Sequence, residues 1–271
     1  MTTESLRLML STTDPSVARI AIDAGVDGLV VDWETQGKRA RQLGADTEIN
    51  EDSPEELERL ADLGAEHLLC RIDGPGPETA AQVGRALTCG ATDLLLPMVR
   101  HPAEVERFLD AIDGRARAGI LVETIEAVQH ADELARLPLA WVYLGLNDLA
   151  ISRRSSFLFE PLVDGTAERV RSAFTEACFG LAGLTDIHAG APIPCSLLLA
   201  EMARLRVGFS FLRRSFKRDL EPAGYAAAIG SIRQRWRELR ARTEGQVARD
   251  REALVSRIEG LMCPPEPRPV P

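Results

Sequence analysis

The chain has 271 residues, a formal net charge of −9 at pH 7, 45% hydrophobic residues and 27% charged residues. That length suits one α/β barrel of about 250 residues, and the composition is that of a globular protein with a sizeable core. The acidic balance argues against binding nucleic-acid phosphates, and no stretch approaches the roughly 20 apolar residues of a membrane span.

Taken in order, eight short apolar runs alternate with longer amphipathic stretches. The runs are Leu6–Leu10, Gly28–Asp32, Leu68–Arg71, Asp93–Pro97, Gly119–Glu123, Trp141–Gly145, Phe179–Gly183 and Phe209–Leu212. Runs of four to six residues rich in Leu, Val and Ile are the mark of parallel strands buried on both faces. Helix starts are visible between them: Asp14-Pro15, Asp52-Ser53-Pro54 with Glu55 and Glu56, and His101-Pro102. Glycines close several helices, at Gly25, Gly64 and Gly90. No glycine-rich dinucleotide or phosphate-loop motif occurs, so the alternation predicts a closed (β/α)8 barrel, with a doubly wound open sheet as the alternative.

The expected division is a barrel over 1–230, a helical extension over 231–262 and a proline-rich, unstructured tail over 263–271. In the extension Ile229, Ile232, Trp236 and Leu239, then Val247, Leu254, Ile258 and Leu261, form an apolar stripe at helical spacing. Such a stripe serves either to fold the helix back on its own barrel or to pack it on a neighbouring subunit. The cysteines Cys70, Cys89, Cys178, Cys195 and Cys263 are odd in number and widely spaced. They predict reduced thiols in a cytoplasmic protein rather than a disulfide frame or a zinc site. The first ten residues do not read as a secretion signal.

Barrel chemistry sits where strands end at their C-terminal face. Four runs end in charge: Asp32 and Glu34, Arg71 and Asp73, Glu123, and Asp148. Acids crowded at one mouth repel one another, and a divalent cation relieves that repulsion. Glu123 and Asp148 come from neighbouring runs and have no Cys or His ligand pattern beside them, which points to Mg²⁺ or Mn²⁺. The plainer roles for such acids are helix capping or pairing with Arg71. Arg71 itself suits a substrate carboxylate or keto oxygen, or else neutralises Asp32 or Glu34. The only two lysines are Lys38 and Lys217, both among arginines. Neither sits in the apolar surroundings that a Schiff-base aldolase requires.

The segments Asp32-Trp-Glu34, Leu69-Cys-Arg71, Leu95-Leu-Pro97-Met98, Leu121-Val-Glu123-Thr124 and Leu144-Gly-Leu-Asn147-Asp148-Leu149 occur in this order. Together, over roughly residues 5–230, they resemble the HpcH/HpaI aldolase and citrate lyase β-subunit family. The resemblance implies a metal-dependent carbon–carbon lyase or aldolase acting on a 2-oxo acid such as pyruvate. It implies metal ligands at Glu123 and Asp148 and an enolate-steadying arginine at Arg71; Pro97 and Asn147, within the same segments, are candidate substrate contacts. It also implies a homo-oligomer, a hexamer or trimer, held through the C-terminal helices.

The sequence departs from that family at one catalytic place. A histidine follows the second-strand glutamate in the pyruvate aldolases, whereas Thr35 follows Glu34 here. Glu34 or His188, the latter in the loop after the seventh run, are the candidates for moving protons. Lys38 and Arg39, with Arg213, Arg214 and Lys217, suggest an anion site for a carboxylate or phosphate. The alternatives are an acyl-CoA lyase of malyl-CoA or citryl-CoA type, or a ligand-binding barrel that has lost turnover.

Overall fold

The computed structural model describes residues 5–35 and 52–262. Eight strands, each parallel to its neighbours, close into a barrel in chain order. They are β1 (Arg7–Ser11), β2 (Gly28–Asp32), β3 (His67–Arg71), β4 (Asp93–Leu96), β5 (Arg117–Val122), β6 (Trp141–Leu144), β7 (Cys178–Leu184) and β8 (Phe209–Leu212). These are the eight apolar runs of the sequence, with ends moved by one or two residues where they differ. Among the described residues no helix is long and apolar enough to cross a membrane.

The two-residue period of each strand sorts its side chains. Leu29, Val31, Leu68, Cys70, Ile120 and Val122 face the surrounding helices in one large core. Met9, Val30, Leu69, Leu95, Leu121, Trp141 and Phe209 form a separate cluster inside the barrel. On β7 the interior place falls to Gly180, where an added Cβ would collide with the Phe209 ring. The missing side chain on one strand thus leaves room for a large one on the next.

The lower end of the barrel is closed by a polar plug around Asp93, which is fully buried. Its carboxylate accepts from Arg117 Nε at 2.6 Å and Nη2 at 2.8 Å, from Trp141 Nε1 at 2.7 Å and from Thr92 Oγ1 at 2.7 Å. His67 Nδ1 lies 3.3 Å away, so His67 is structural. Burial opposes the Asp93 charge, but these hydrogen bonds win and hold its pKa down at about 2.

The predicted helix starts are present as caps. Asp14 accepts from Ser16 N at 2.8 Å, and Ser53 and Glu56 form a capping box. His101 caps the helix Pro102–Ile112 through a similar box with Glu104. That role occupies His101 away from any chemistry.

The boundary expected at 230/231 falls inside one continuous helix, Tyr225–Arg240, because Ile229, Ile232, Trp236 and Leu239 are buried along it without interruption. A second helix, Glu244–Met262, follows. It lies against the helix Cys195–Arg204 of the same chain, with Leu254 and Ile258 buried. Arg251 anchors it, reaching Glu201 at 2.7 Å, Glu168 at 3.1 Å and the Leu162 carbonyl at 2.5 Å. The proline-rich segment 263–271 lies outside the described residues. The cysteines Cys70, Cys89, Cys178 and Cys195 are free thiols. Burial pushes all four thiol pKa values up, which leaves them poor nucleophiles.

Candidate active site

The inward period of the strands carries on past their apolar portions. Val30 is followed two residues later by Asp32, Leu69 by Arg71 and Leu121 by Glu123, so these charges point into the barrel mouth above the interior cluster. There they line a cavity of about 410 Å³ together with Asn147, Asp148, Tyr143 and Arg213. The position matches the C-terminal face at which barrel enzymes act.

Asp32 and Arg71 are register partners on β2 and β3. Arg71 Nε donates to Asp32 Oδ1 at 2.9 Å and Nη2 to Oδ2 at 2.6 Å, a bidentate pair. Arg71 Nη1 also lies 3.5 Å from Glu34 Oε2. Burial disfavours the guanidinium charge, yet Asp32, Glu34 and Glu123 outweigh it and push the Arg71 pKa higher still. Arg71 is therefore a fixed cation, aimed by Asp32, with a quarter of its side chain open to the cavity. Neutralising Asp32 and meeting a ligand are compatible roles for it.

Glu123 follows β5 and is 3% exposed. Its Oε1 accepts from Met98 N at 2.9 Å, an amide presented by a left-handed residue at φ 56°. Thr124 holds the backbone just beyond, donating to the Val99 carbonyl at 2.6 Å and capping the helix Ile125–Gln129. Asp148 stands in the first turn of the helix Leu146–Arg153, directly after β6, where the helix dipole favours a carboxylate. Burial and then the charge of Asp148 push the Glu123 carboxyl pKa up, with Glu34 adding to the rise. Arg71 and the Met98 amide work against it. The two carboxylates thus feel each other strongly in one buried place.

Other expected site residues are placed differently. Pro97 is buried and outside the cavity wall, and it leads into the Met98 amide that Glu123 uses. Glu34 is 2% exposed and lies behind Arg71 rather than on the wall. His188 is exposed in a turn after β7, its amide donating to Asp186 Oδ1 at 2.8 Å, and it is not on the cavity wall. Thr35 donates its amide to Asp73 Oδ1 at 2.7 Å. Lys38 and Arg39 lie outside the described residues.

Tyr143 was not singled out from the sequence, where it reads as part of an apolar run. Its signal is the inward period of β6, two residues beyond the interior Trp141. Burial and then the Glu123 charge push its phenol pKa up, against Arg71 and Arg213, so it keeps its proton. It can donate a hydrogen bond in the cavity and is a poor base.

No known family model and no curated protein matches this sequence. Solved structures do. An HpcH/HpaI aldolase from Desulfitobacterium hafniense superposes with TM-score 0.61 at 16% identity, over 85% of this chain and 93% of that one. A citrate lyase from Burkholderia xenovorans gives TM-score 0.59 at 14% identity, over 100% of this chain and 89% of that one. A 3-hexulose-6-phosphate synthase from Salmonella typhimurium gives TM-score 0.60 at 11% identity, over 85% of this chain and 100% of that one. At such identities, and across proteins with such different names, the likeness establishes the (β/α)8 barrel fold.

Proposed function

We propose that this protein is a metal-dependent carbon–carbon lyase or aldolase of the HpcH/HpaI type. It would act on a 2-oxo acid, with Glu123 and Asp148 holding Mg²⁺ or Mn²⁺. The observation that carries this reading is the buried pair itself: two carboxyl groups, 3% and 9% exposed, on the wall of one cavity, with the Arg71 cation on the same wall. Among the described residues no group of three or more His, Cys, Asp or Glu side chains is arranged to hold an ion. Two carboxylates suit a hard cation that keeps several waters and open positions, and do not suit zinc. The ordered strand-end segments and the barrel fold support the same reading.

When bound, the cation supplies Lewis-acid polarisation of the substrate's oxygens. The chain's own groups do the remainder. Glu123 and Asp148 would hold the cation as carboxylates, with Glu123 Oε1 kept in place by the Met98 amide. Arg71, aimed by Asp32, lies beside the negative charge that develops as the carbon–carbon bond breaks or forms. Tyr143 Oη, still protonated, donates a hydrogen bond to a substrate oxygen. The apolar floor of Val30, Leu95 and Leu121 lowers the local dielectric and strengthens each of these interactions.

The test of the metal half is equilibrium binding of Mn²⁺, followed by electron paramagnetic resonance. One tight site in the native protein, weakened at least about tenfold in both Glu123→Gln and Asp148→Asn, is expected. Equal affinity in all three proteins would rule the assignment out.

A second reading, a ligand-binding barrel without turnover, is favoured by one observation: among the described residues no histidine lines the cavity. Metal binding without any enolisation of 2-oxo acids would select it.

A further inference from the structure

A second cavity, of about 840 Å³, opens at the same mouth between the loop after β7 and the segment after β8. Arg213 and Arg214 belong to the walls of both cavities. In a chain of net charge −9, the described residues of this wall include four cationic side chains and one carboxylate, that of Asp219. That carboxylate is already paired with Arg218, at 2.6 and 3.0 Å.

Two hydroxyls on this wall make it more than a charged surface. Thr185 Oγ1, on a residue 2% exposed, and Ser215 Oγ are both shielded from solvent. Neither has a hydrogen-bond partner among the described residues. Buried hydroxyls are almost always satisfied in folded proteins, so an orphaned pair on residues that line one cavity marks a place for a polar guest. Lys217 Nζ donates one hydrogen bond, to the Ser11 carbonyl at 2.8 Å, and retains two further N–H groups. Arg213 is steered across β7 because Gly183 leaves room for its stem, where a Cβ would collide with Arg213 Cγ.

Two hydroxyls, an ammonium and a guanidinium on residues lining one cavity call for a guest with several anionic oxygens. A phosphoryl group offers three terminal oxygens and up to two charges, whereas a carboxylate offers two oxygens and one charge. The loops after the seventh and eighth strands are also where barrels commonly bind phosphate. We propose that the cavity of Thr185, Arg213, Ser215 and Lys217 binds a phosphoryl group on the part of the substrate remote from the reacting carbon. The inference rests on the proposed lyase reading only for where that reacting carbon lies. Arg213 walls both cavities, which sets the phosphoryl site beside the one that holds Glu123 and Asp148.

The test is calorimetric titration of the full-length protein, without added divalent metal, using inorganic phosphate and glycerol 3-phosphate as probes. Expected are saturable binding of phosphate at millimolar concentration or tighter and displacement of phosphate by glycerol 3-phosphate. Affinity should fall about tenfold or more in Arg213→Gln and measurably in Ser215→Ala and Thr185→Val. Thermal melting of each variant checks that it is folded. Phosphate affinity should be unchanged in Glu123→Gln, which separates this site from the metal site. No saturable binding, or native affinity in folded Arg213→Gln and Ser215→Ala, would overturn the proposal. So would failure of glycerol 3-phosphate to compete, which would leave a site for the free ion alone. Phosphate binding with no lyase chemistry would defeat the proposed function and leave the phosphoryl site standing.

Discussion

The carboxylate of Glu123 lies against Gly145, the residue just after the neighbouring strand: a Cβ added at residue 145 would stand 2.5 Å from Glu123 Oε2 and 2.8 Å from its Cβ. The registers of β5 and β6 bring them side by side, since Val122 pairs with Leu144 one residue earlier on each strand. Gly145 is therefore needed for space. Gly145→Ala should leave a folded barrel whose Glu123 is displaced, with Mn²⁺ affinity reduced at least about tenfold. Mn²⁺ titration of the folded variant checks it, and native affinity would show that Glu123 does not hold the ion.

Glu123 also sets a pH dependence. Its folded-state pKa lies above the ordinary carboxylate value, through burial and the Asp148 charge. In the metal-free protein the folded state thus keeps a proton that the unfolded chain has released. Stability should fall as pH rises from the ordinary carboxylate range through neutrality. Glu123→Gln should flatten that slope, and saturating Mg²⁺ should flatten it too while releasing a proton. Urea unfolding at several pH values measures the first effect, and titration in buffers of different ionisation enthalpy measures the second.

Asp93 gives the opposite sign. Its folded pKa, near 2, lies below the ordinary value of 3.8, so its contribution is complete above that value and is lost as pH falls toward 2. The acid-labile part is on the order of 2 kcal/mol. Asp93→Asn should remove it, while the half-exposed Arg117 keeps water and the Glu66 carbonyl as partners. Denaturant unfolding between pH 6 and the acid transition, native against variant, reads the loss.

The C-terminal helix is held by Leu254 and Ile258 and by the hydrogen bonds of Arg251 to Glu201, Glu168 and the Leu162 carbonyl. Leu254→Ala should cost about 2–5 kcal/mol. Arg251→Ala leaves Glu201, a buried acid, with only Arg204 of its two arginine partners. It should loosen the helix enough to raise hydrogen exchange over 244–262 ahead of the barrel.

The strands were legible because strands buried on both faces read as unbroken apolar runs, and β2 and β8 have the limits expected for them. The placement of Arg71, Glu123 and Asp148 at the barrel mouth was legible because each ends or closely follows such a run. Pairing of Arg71 with Asp32 or Glu34 was an open alternative, and the choice of Asp32 as its bidentate partner depends on the register between strands 39 residues apart. Tyr143 was hidden because an aromatic ring in a strand looks like core until its inward direction is known. His188 looked available for chemistry because it follows β7, yet its turn places it on the outside. Thr185 and Ser215 carry no signal singly, and only the fold brings them to one cavity.

The most direct measurement is proton exchange into pyruvate. The protein is incubated with Mn²⁺ or Mg²⁺ and pyruvate in D₂O, and the methyl protons are followed by NMR. Metal-dependent deuterium uptake is expected, falling at least about a hundredfold in Glu123→Gln, Asp148→Asn and Arg71→Lys. Native exchange in the three variants, or none in the metal-loaded protein with pyruvate and larger 2-oxo acids alike, would contradict enolate chemistry at this site.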